Sequence, residues 1–317
     1  MLDEGLANIG YAHSKFAYMP FKHINGRKGK LLNPFIRRIY LPKEINRQEQ
    51  EIIHLTQPYG YEVFLNAKSK KVLTWYDDFM ITKTKGIMQR YNKYRATKSV
   101  EKADAITFIS ENSRLGFEAL FEFESKYGDK LLSVNPIPID DLWIKHTIEQ
   151  NTQREDFIYI GGINKVLSTL FPIYSKFIKA LGSKEKPLLH IYTSDDIPNI
   201  PENIRLYTIF HLHKSDEEII VQLKKSIALL HLTLHDGYGL PIMESLAIGT
   251  PVITLKEASI PEETKKWTMQ VNKDEIIAEM LKLYERPTNA TTEAIQQAKK
   301  LNKEEYARQM TKLYESV

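Results

Sequence analysis

The sequence reads as an α/β protein made of two Rossmann-like parallel-sheet domains facing across a cleft. Three observations lead there. Short apolar runs alternate with helical patterns along nearly the whole chain, as strand–helix–strand units require. Several runs are apolar throughout rather than alternating, which suits strands covered by helices on both faces. The 317 residues exceed one domain of ordinary size.

Strands are expected at EIIHL (51–55), KVLTW (71–75), AITFI (105–109) and KLLSV (130–134). They continue at DFIYI (156–160), PLLHIY (187–192), IRLY (204–207), IALLHL (227–232) and PVITL (251–255). Helical patterns fill residues 85–102, 111–127, 167–181, 216–226, 240–248, 272–284 and 292–315. Ser215 and Glu218 have the S-x-x-E spacing of a capping box. Residues 135–156 hold two prolines in NPIPIDDLW and then the polar HTIEQNTQRED, so the domain boundary is placed there. Domains of 1–145 and 146–299 result, each with enough strands for a sheet. In such folds ligands bind beyond the carboxyl ends of the strands.

Composition narrows the chemistry. Cysteine is absent, which removes disulfides, thiolate nucleophiles and cysteine-held metals. No apolar run approaches the ~20 residues of a membrane-spanning helix. The start, MLDEGLANIG, has no signal-peptide core, so the expected location is cytoplasmic. The net charge of +4 is uneven, +5 over residues 1–150 and −1 over 151–317. Its densest basic stretch runs from Lys22 to Lys43, with Arg27, Lys28, Lys30, Arg37 and Arg38 among apolar residues. That stretch is either a solvated face or a peripheral contact with an anionic partner such as a membrane surface. Nucleic acid is not expected, since no single-strand stacking platform or helix-turn-helix accompanies the charge.

The most informative segment is LLHLTLHDGYGLPIMESLAIGTPVITL, residues 229–255. A buried strand ends at Thr233, and a loop containing Asp236, Gly237, Tyr238 and Gly239 follows. A helix then opens at Leu240 and Pro241, where proline is tolerated. Backbone N–H groups of Gly239 and Leu240 at this helix start can face an anion. Asp236 and Glu244 frame the site, and an ionised carboxylate can accept both hydroxyls of a vicinal diol. Phosphate-binding amides beside diol-binding carboxylates describe a sugar-nucleotide pocket; the alternative is a βαβ turn with solvent-facing acids. His211, His213, His231 and His235 do not form a metal-ligand spacing on one helix. His231 reads as strand packing and Trp75 as core.

DGYGLPIMESLAIGTPVI resembles the E-x7-E segment of retaining glycosyltransferases of family 4, in the GT-B fold group. Asp236 matches the first acid, Glu244 the second and Thr233 the serine or threonine that precedes them. FIYIGGINK, with Gly161 and Gly162, resembles the strand and glycine turn opening the donor domain. VLTWYDDF, SVEKADAITFISENSRLGF and ASIPEE resemble further family segments. The resemblance implies transfer of a sugar from a nucleoside diphosphate sugar to a carbohydrate, glycolipid or glycoprotein acceptor with retention, without a metal. Glu244 would hold the ribose hydroxyls, Asp236 the transferred sugar, and the 237–240 amides the diphosphate. The last helix (300–317) would pack back on the first domain.

Three departures stand out. Gly162 and Leu167 occupy the places of the family's arginine and lysine, leaving Lys165 as the nearest cation to the leaving phosphate. Tyr76, beside Asp77, stands where a histidine is common; both are acceptor-side candidates. The expected opening strand is missing before Gly5, although Gly5 and Gly10 could be remnants of its turn. The lost Arg/Lys pair keeps open a non-enzymatic or weakly active sugar-nucleotide-binding protein, and the fold plan keeps open another GT-B enzyme such as a sugar-nucleotide epimerase.

Overall fold

The computed structural model describes residues 6, 7, 43, 47, 50–82, 84–122, 126–147 and 153–317. Apart from Lys43, the basic stretch of residues 22–43 lies outside them, as do Gly5 and Gly10. The chain divides into two compact units: the described residues up to Ile137 with Glu304–Val317, and those of Pro138–Lys303.

The first unit holds a four-stranded parallel sheet of β1 (Ile52–Leu55), β2 (Lys70–Trp75), β3 (Ala105–Phe108) and β4 (Leu131–Val134), in that spatial order. Neighbours pair in register, Val72 with Ala105 and Ala105 with Leu131. Side chains alternate between faces along each strand, and both faces are covered. Leu73 and Trp75 of β2 with Ile106 and Phe108 of β3 join Phe117 and Phe121 in one cluster. Val72 and Ala105 point the other way, into Met310, Leu313 and Tyr314. Two-sided burial is why these strands lack polar alternation. Trp75 is fully buried, its ring 5.0 Å from Phe117.

The helices of this unit are α1 (Phe79–Thr82), α2 (Gly86–Lys102) and α3 (Glu111–Phe121). Ser110 caps α3 by accepting from the Ser113 N–H at 3.1 Å. That helix stops earlier than the pattern suggested, because Glu122 turns left-handed at φ 50°.

The second unit contains β5 (Asp156–Ile160), β6 (Leu189–Thr193), β7 (Thr208–Leu212), β8 (Ser226–His231), β9 (Val252–Leu255) and β10 (Met269–Val271). The spatial order is β10-β9-β8-β5-β6-β7, and every pairing is parallel. From β5 the chain winds outward to β7, then returns to lay β8 on the other side of β5. The order therefore reverses between β5 and β8, the switch point at which open α/β sheets bind ligands.

Its helices are α4 (Asp141–Lys145), α5 (Leu167–Ala180), α6 (Glu202–Arg205), α7 (Asp216–Lys225), α8 (Leu240–Ile248), α9 (Glu262–Lys265), α10 (Ile276–Glu285) and α11 (Thr292–Lys300); α12 (Lys303–Glu315) ends the chain. The capping box of α7 is complete, with Ser215 and Glu218 each accepting from the other's backbone N–H.

Two expectations are corrected. IRLY is not a strand: Pro201 caps the short α6, which buries Ile204 while Leu206 is left 83% exposed. The strand starts at Thr208, opposite Leu189. The pattern at 292–315 is two helices, because Leu301 and Asn302 interrupt it and the Leu301 carbonyl accepts from the Ile139 N–H. The edge strand β10, three residues long, was not expected at all.

Arg154 ties the amino-terminal edge of this sheet. Its guanidinium donates to the carbonyls of Ser226 and Gly249 and to Asn289 Oδ1. Burial depresses its pKa to about 10. Arg154→Met would leave several acceptors unsatisfied. We expect the variant to lose about 2–4 kcal/mol in urea unfolding of the second unit; an unchanged transition would show that water replaces the guanidinium.

Candidate functional site

Because the six strands are parallel, all their carboxyl ends open on one edge. There the turn of Gly161 and Gly162 after β5 adjoins the Asp236 loop after β8, flanking the switch point. Tyr159 joins the two. Its buried hydroxyl donates to the Gly162 carbonyl at 2.9 Å and interacts with the Thr233 hydroxyl. Burial raises this phenol to about 12, helped by Asp195 and Asp236. Gly161 sits at φ 137°, and a Cβ there would meet the Tyr159 hydroxyl at 3.2 Å.

The Asp236 loop is clamped from both sides. Its own N–H donates to the Ser259 carbonyl, and the Ser259 N–H to the Leu234 carbonyl, so the loop is sewn to the segment after β9. Asp236 Oδ1 accepts from the N–H groups of Tyr238 (3.0 Å) and Gly239 (2.6 Å). His231 Nε2 stands 3.3 Å from Oδ2. Burial alone would raise the Asp236 carboxyl; His231 and the two amides outweigh it and hold the group below its ordinary value. The side chain thus carries charge while keeping a quarter of its surface exposed.

This arrangement alters one expectation. The Gly239 amide, expected to face a phosphate, is taken by Asp236. Leu240, the first residue of α8, has no intrahelical acceptor for its N–H and remains available. Gly237 has a partner of its own. Gly239 caps α8 at φ 81°. Tyr238 is buried, with its phenol raised by burial and by Glu263; it anchors the turn from beneath.

Helix α8 is apolar and buried on most sides, as a helix packed inside the unit must be. Glu244 is its exception. The carboxyl is raised to about 8 by burial, then by the negative charges of Asp216 and Asp140. Asp140 is held ionised by Lys303 at 2.8 Å and by the Leu142 N–H. No described residue donates a hydrogen bond to Glu244, so the protein itself does not offset the burial of this carboxyl.

Of the residues singled out from sequence, the second unit gathers Gly161, Gly162, Thr233, Asp236, Gly237, Tyr238, Gly239, Leu240 and Glu244 along one sheet edge. Lys165 ends the short turn Ile163–Lys165 after Gly162; its side chain lies outside the described ones. Tyr76 and Asp77 belong to the first unit, at the carboxyl end of β2. Tyr76 is 37% exposed, its carbonyl accepting from Ser113 Oγ. Asp77 and Asp78 help raise the Tyr59 phenol, after burial, to about 12. Among the described residues no group of His, Asp and Glu forms a metal cage.

Sequence reasoning missed Tyr159 and His231. His231 is almost wholly buried, and neither ring nitrogen has an aligned hydrogen-bond partner among the described residues. A polar ring inside the run IALLHL, five residues before an acid, was the available signal.

A Cβ at Gly239 would lie 3.0 Å from Ile242 Cδ1 and 3.2 Å from Thr264 Cγ2 at a left-handed φ, so Gly239→Ala should cost about 1–3 kcal/mol in unfolding measurements. Glu244 binds its proton more tightly folded (about 8) than at its ordinary 4.5; stability present at low pH is therefore lost as pH rises between those values. Glu244→Gln should raise the Tm at pH 8, with the gain shrinking towards pH 5. A gain independent of pH would show that Glu244 is ionised throughout.

Comparison with known proteins bears on the fold and on one stretch of the second unit. Residues 202–301 match the family Glycosyl transferases group 1, a span that includes Asp236 and Glu244. No curated protein matches the chain. Among solved structures, sucrose-phosphate synthase from Thermosynechococcus elongatus is similar with a TM-score of 0.69 at 13% identity, over 99% of this chain and 91% of that one. A UDP-forming α,α-trehalose-phosphate synthase from Burkholderia xenovorans gives 0.67 at 12%, over 92% and 80%. The apo form of the lipopolysaccharide outer core galactosyltransferase WaaB gives 0.65 at 14%, over 96% and 88%. The GT-B fold expected from the sequence is the fold found.

Proposed function

We propose that this protein is a glycosyltransferase that moves a sugar from a nucleoside diphosphate sugar to a carbohydrate, glycolipid or glycoprotein acceptor with retention of anomeric configuration. One observation carries the reading: at the β5–β8 switch point, a glycine turn, an ionised Asp236 and an unpartnered Glu244 share one sheet edge, inside or beside the stretch that matches a glycosyltransferase family.

In this reading Glu244 takes the ribose hydroxyls of the donor. Asp236 uses its remaining lone pairs for hydroxyls of the sugar to be transferred, and its charge faces the cationic character that develops at the anomeric carbon. The Leu240 N–H and the positive end of α8 meet the diphosphate. As the glycosidic bond breaks, negative charge grows on the leaving phosphate, and stabilising it is the main catalytic task. Lys165, at the end of the turn beside Gly162, is proposed as the cation that does so. Attack on the face the leaving group vacates retains configuration, with a donor phosphate oxygen taking the acceptor proton. No protein general base is then required, and the scheme has no role for a metal. Tyr76 and Asp77 are proposed on the acceptor side.

A second reading has its own observation. Gly162 and Leu167 stand where a cationic pair is customary in proteins of this resemblance, so a sugar-nucleotide-binding protein without turnover is the rival. A thermal-shift series with UDP-, GDP- and ADP-sugars, followed by a turnover assay in EDTA, separates the two. The proposal predicts that one donor raises the Tm and is hydrolysed or transferred without added metal. It also predicts that Lys165→Ala lowers kcat about 100-fold with little change in donor affinity. Tight binding without turnover would select the rival, and binding of no nucleotide sugar would overturn both.

A further inference from the structure

We propose that helix α2 docks the protein on an anionic membrane surface. Its carboxyl-terminal half is anchored through Asn92, Ala96, Ser99 and Val100, whereas every residue from Lys85 to Tyr91 is exposed. The exposed portion is not polar. Ile87 is 85% exposed, and Met88, Tyr91 and Tyr94 each keep half or more of their surface in water.

With about 3.6 residues per turn, Ile87, Tyr91 and Tyr94 fall on one stripe with Met88 at its margin. Arg90 borders the stripe on one side, and Lys85 immediately precedes the helix as its extended cap. No acidic residue occurs from residue 79 to 100. Arg95 is paired with Glu62 at 3.3 Å and Lys98 with Glu101 at 2.6 Å. Lys85, Arg90 and Lys93 have no acidic partner among the described residues.

Aliphatic and tyrosine side chains edged by unpaired cations are what a helix lying in a lipid headgroup layer presents. The apolar stripe leaves water, the tyrosines keep their hydroxyls among headgroups, and the cations meet anionic lipid. A convex helix of this kind needs no complementary groove, which a flat bilayer does not offer. The basic residues between Lys22 and Lys43 have the same sign of charge, so that stretch of the chain is disfavoured as the occupant.

Sedimentation with vesicles of phosphatidylcholine, with and without phosphatidylglycerol, tests the assignment. Wild-type protein should partition to the anionic vesicles only. The pairs Ile87→Ser/Met88→Ser and Arg90→Ala/Lys93→Ala should each lower partitioning at least about tenfold, with Tm unchanged because these side chains are exposed. Several results would overturn the proposal: no preference for anionic vesicles, full binding by both variants, or loss only when the basic residues between Lys22 and Lys43 are neutralised. Equal binding to soluble polyglutamate would assign the face to acidic protein and also end it.

Discussion

The second unit depends on where one carboxylate puts its two oxygens. Asp236 Oδ1 gathers the amides of Tyr238 and Gly239, closing a turn that delivers the chain into α8 with Gly239 left-handed at its cap. Oδ2 faces the buried ring of His231 at the end of β8. The same residue therefore shapes the loop, sets the direction of the helix bearing Glu244, and stays ionised in a mostly buried place. A neutral isostere could preserve part of the turn but would lose the charge, which is the feature a developing oxocarbenium centre would meet.

The two acids of the edge are driven apart electrically. Amides and a histidine surround Asp236 and lower its pKa; burial and two further carboxylates surround Glu244 and raise it. Groups of one chemical type thereby take different protonation states at neutral pH, a separation that in enzymes assigns different tasks. A ligand that brings hydroxyl donors to Glu244 would favour its charged form and displace the proton.

Much of this was legible in the chain. Continuous apolar strands such as AITFI and IALLHL announce a covered parallel sheet, and both lie where expected. IRLY misled because a four-residue apolar–polar run does not distinguish a strand from one helical turn behind a proline, and the exposure of Leu206 was needed to decide. The edge strand at Met269–Val271 was too short to show periodicity. In the candidate site, Asp236 and Glu244 stand out in the sequence by their spacing around a glycine turn. Tyr159 and His231 were not, because each sits inside an apolar run and reads as packing; their roles arise from parallel pairing that brings the exits of β5 and β8 together. The capture of the Gly239 amide by Asp236 was equally invisible, since it depends on the fold of a four-residue turn.

The central claim is that Glu244 grips the nucleotide of an activated sugar. Calorimetric titration of the matching nucleoside diphosphate at pH 7, in two buffers with different ionisation enthalpies, tests it most directly. Wild-type protein should release a proton on binding, and Glu244→Gln should bind at least about tenfold more weakly with that release abolished. Equal affinity and equal proton release in the two proteins would contradict the account.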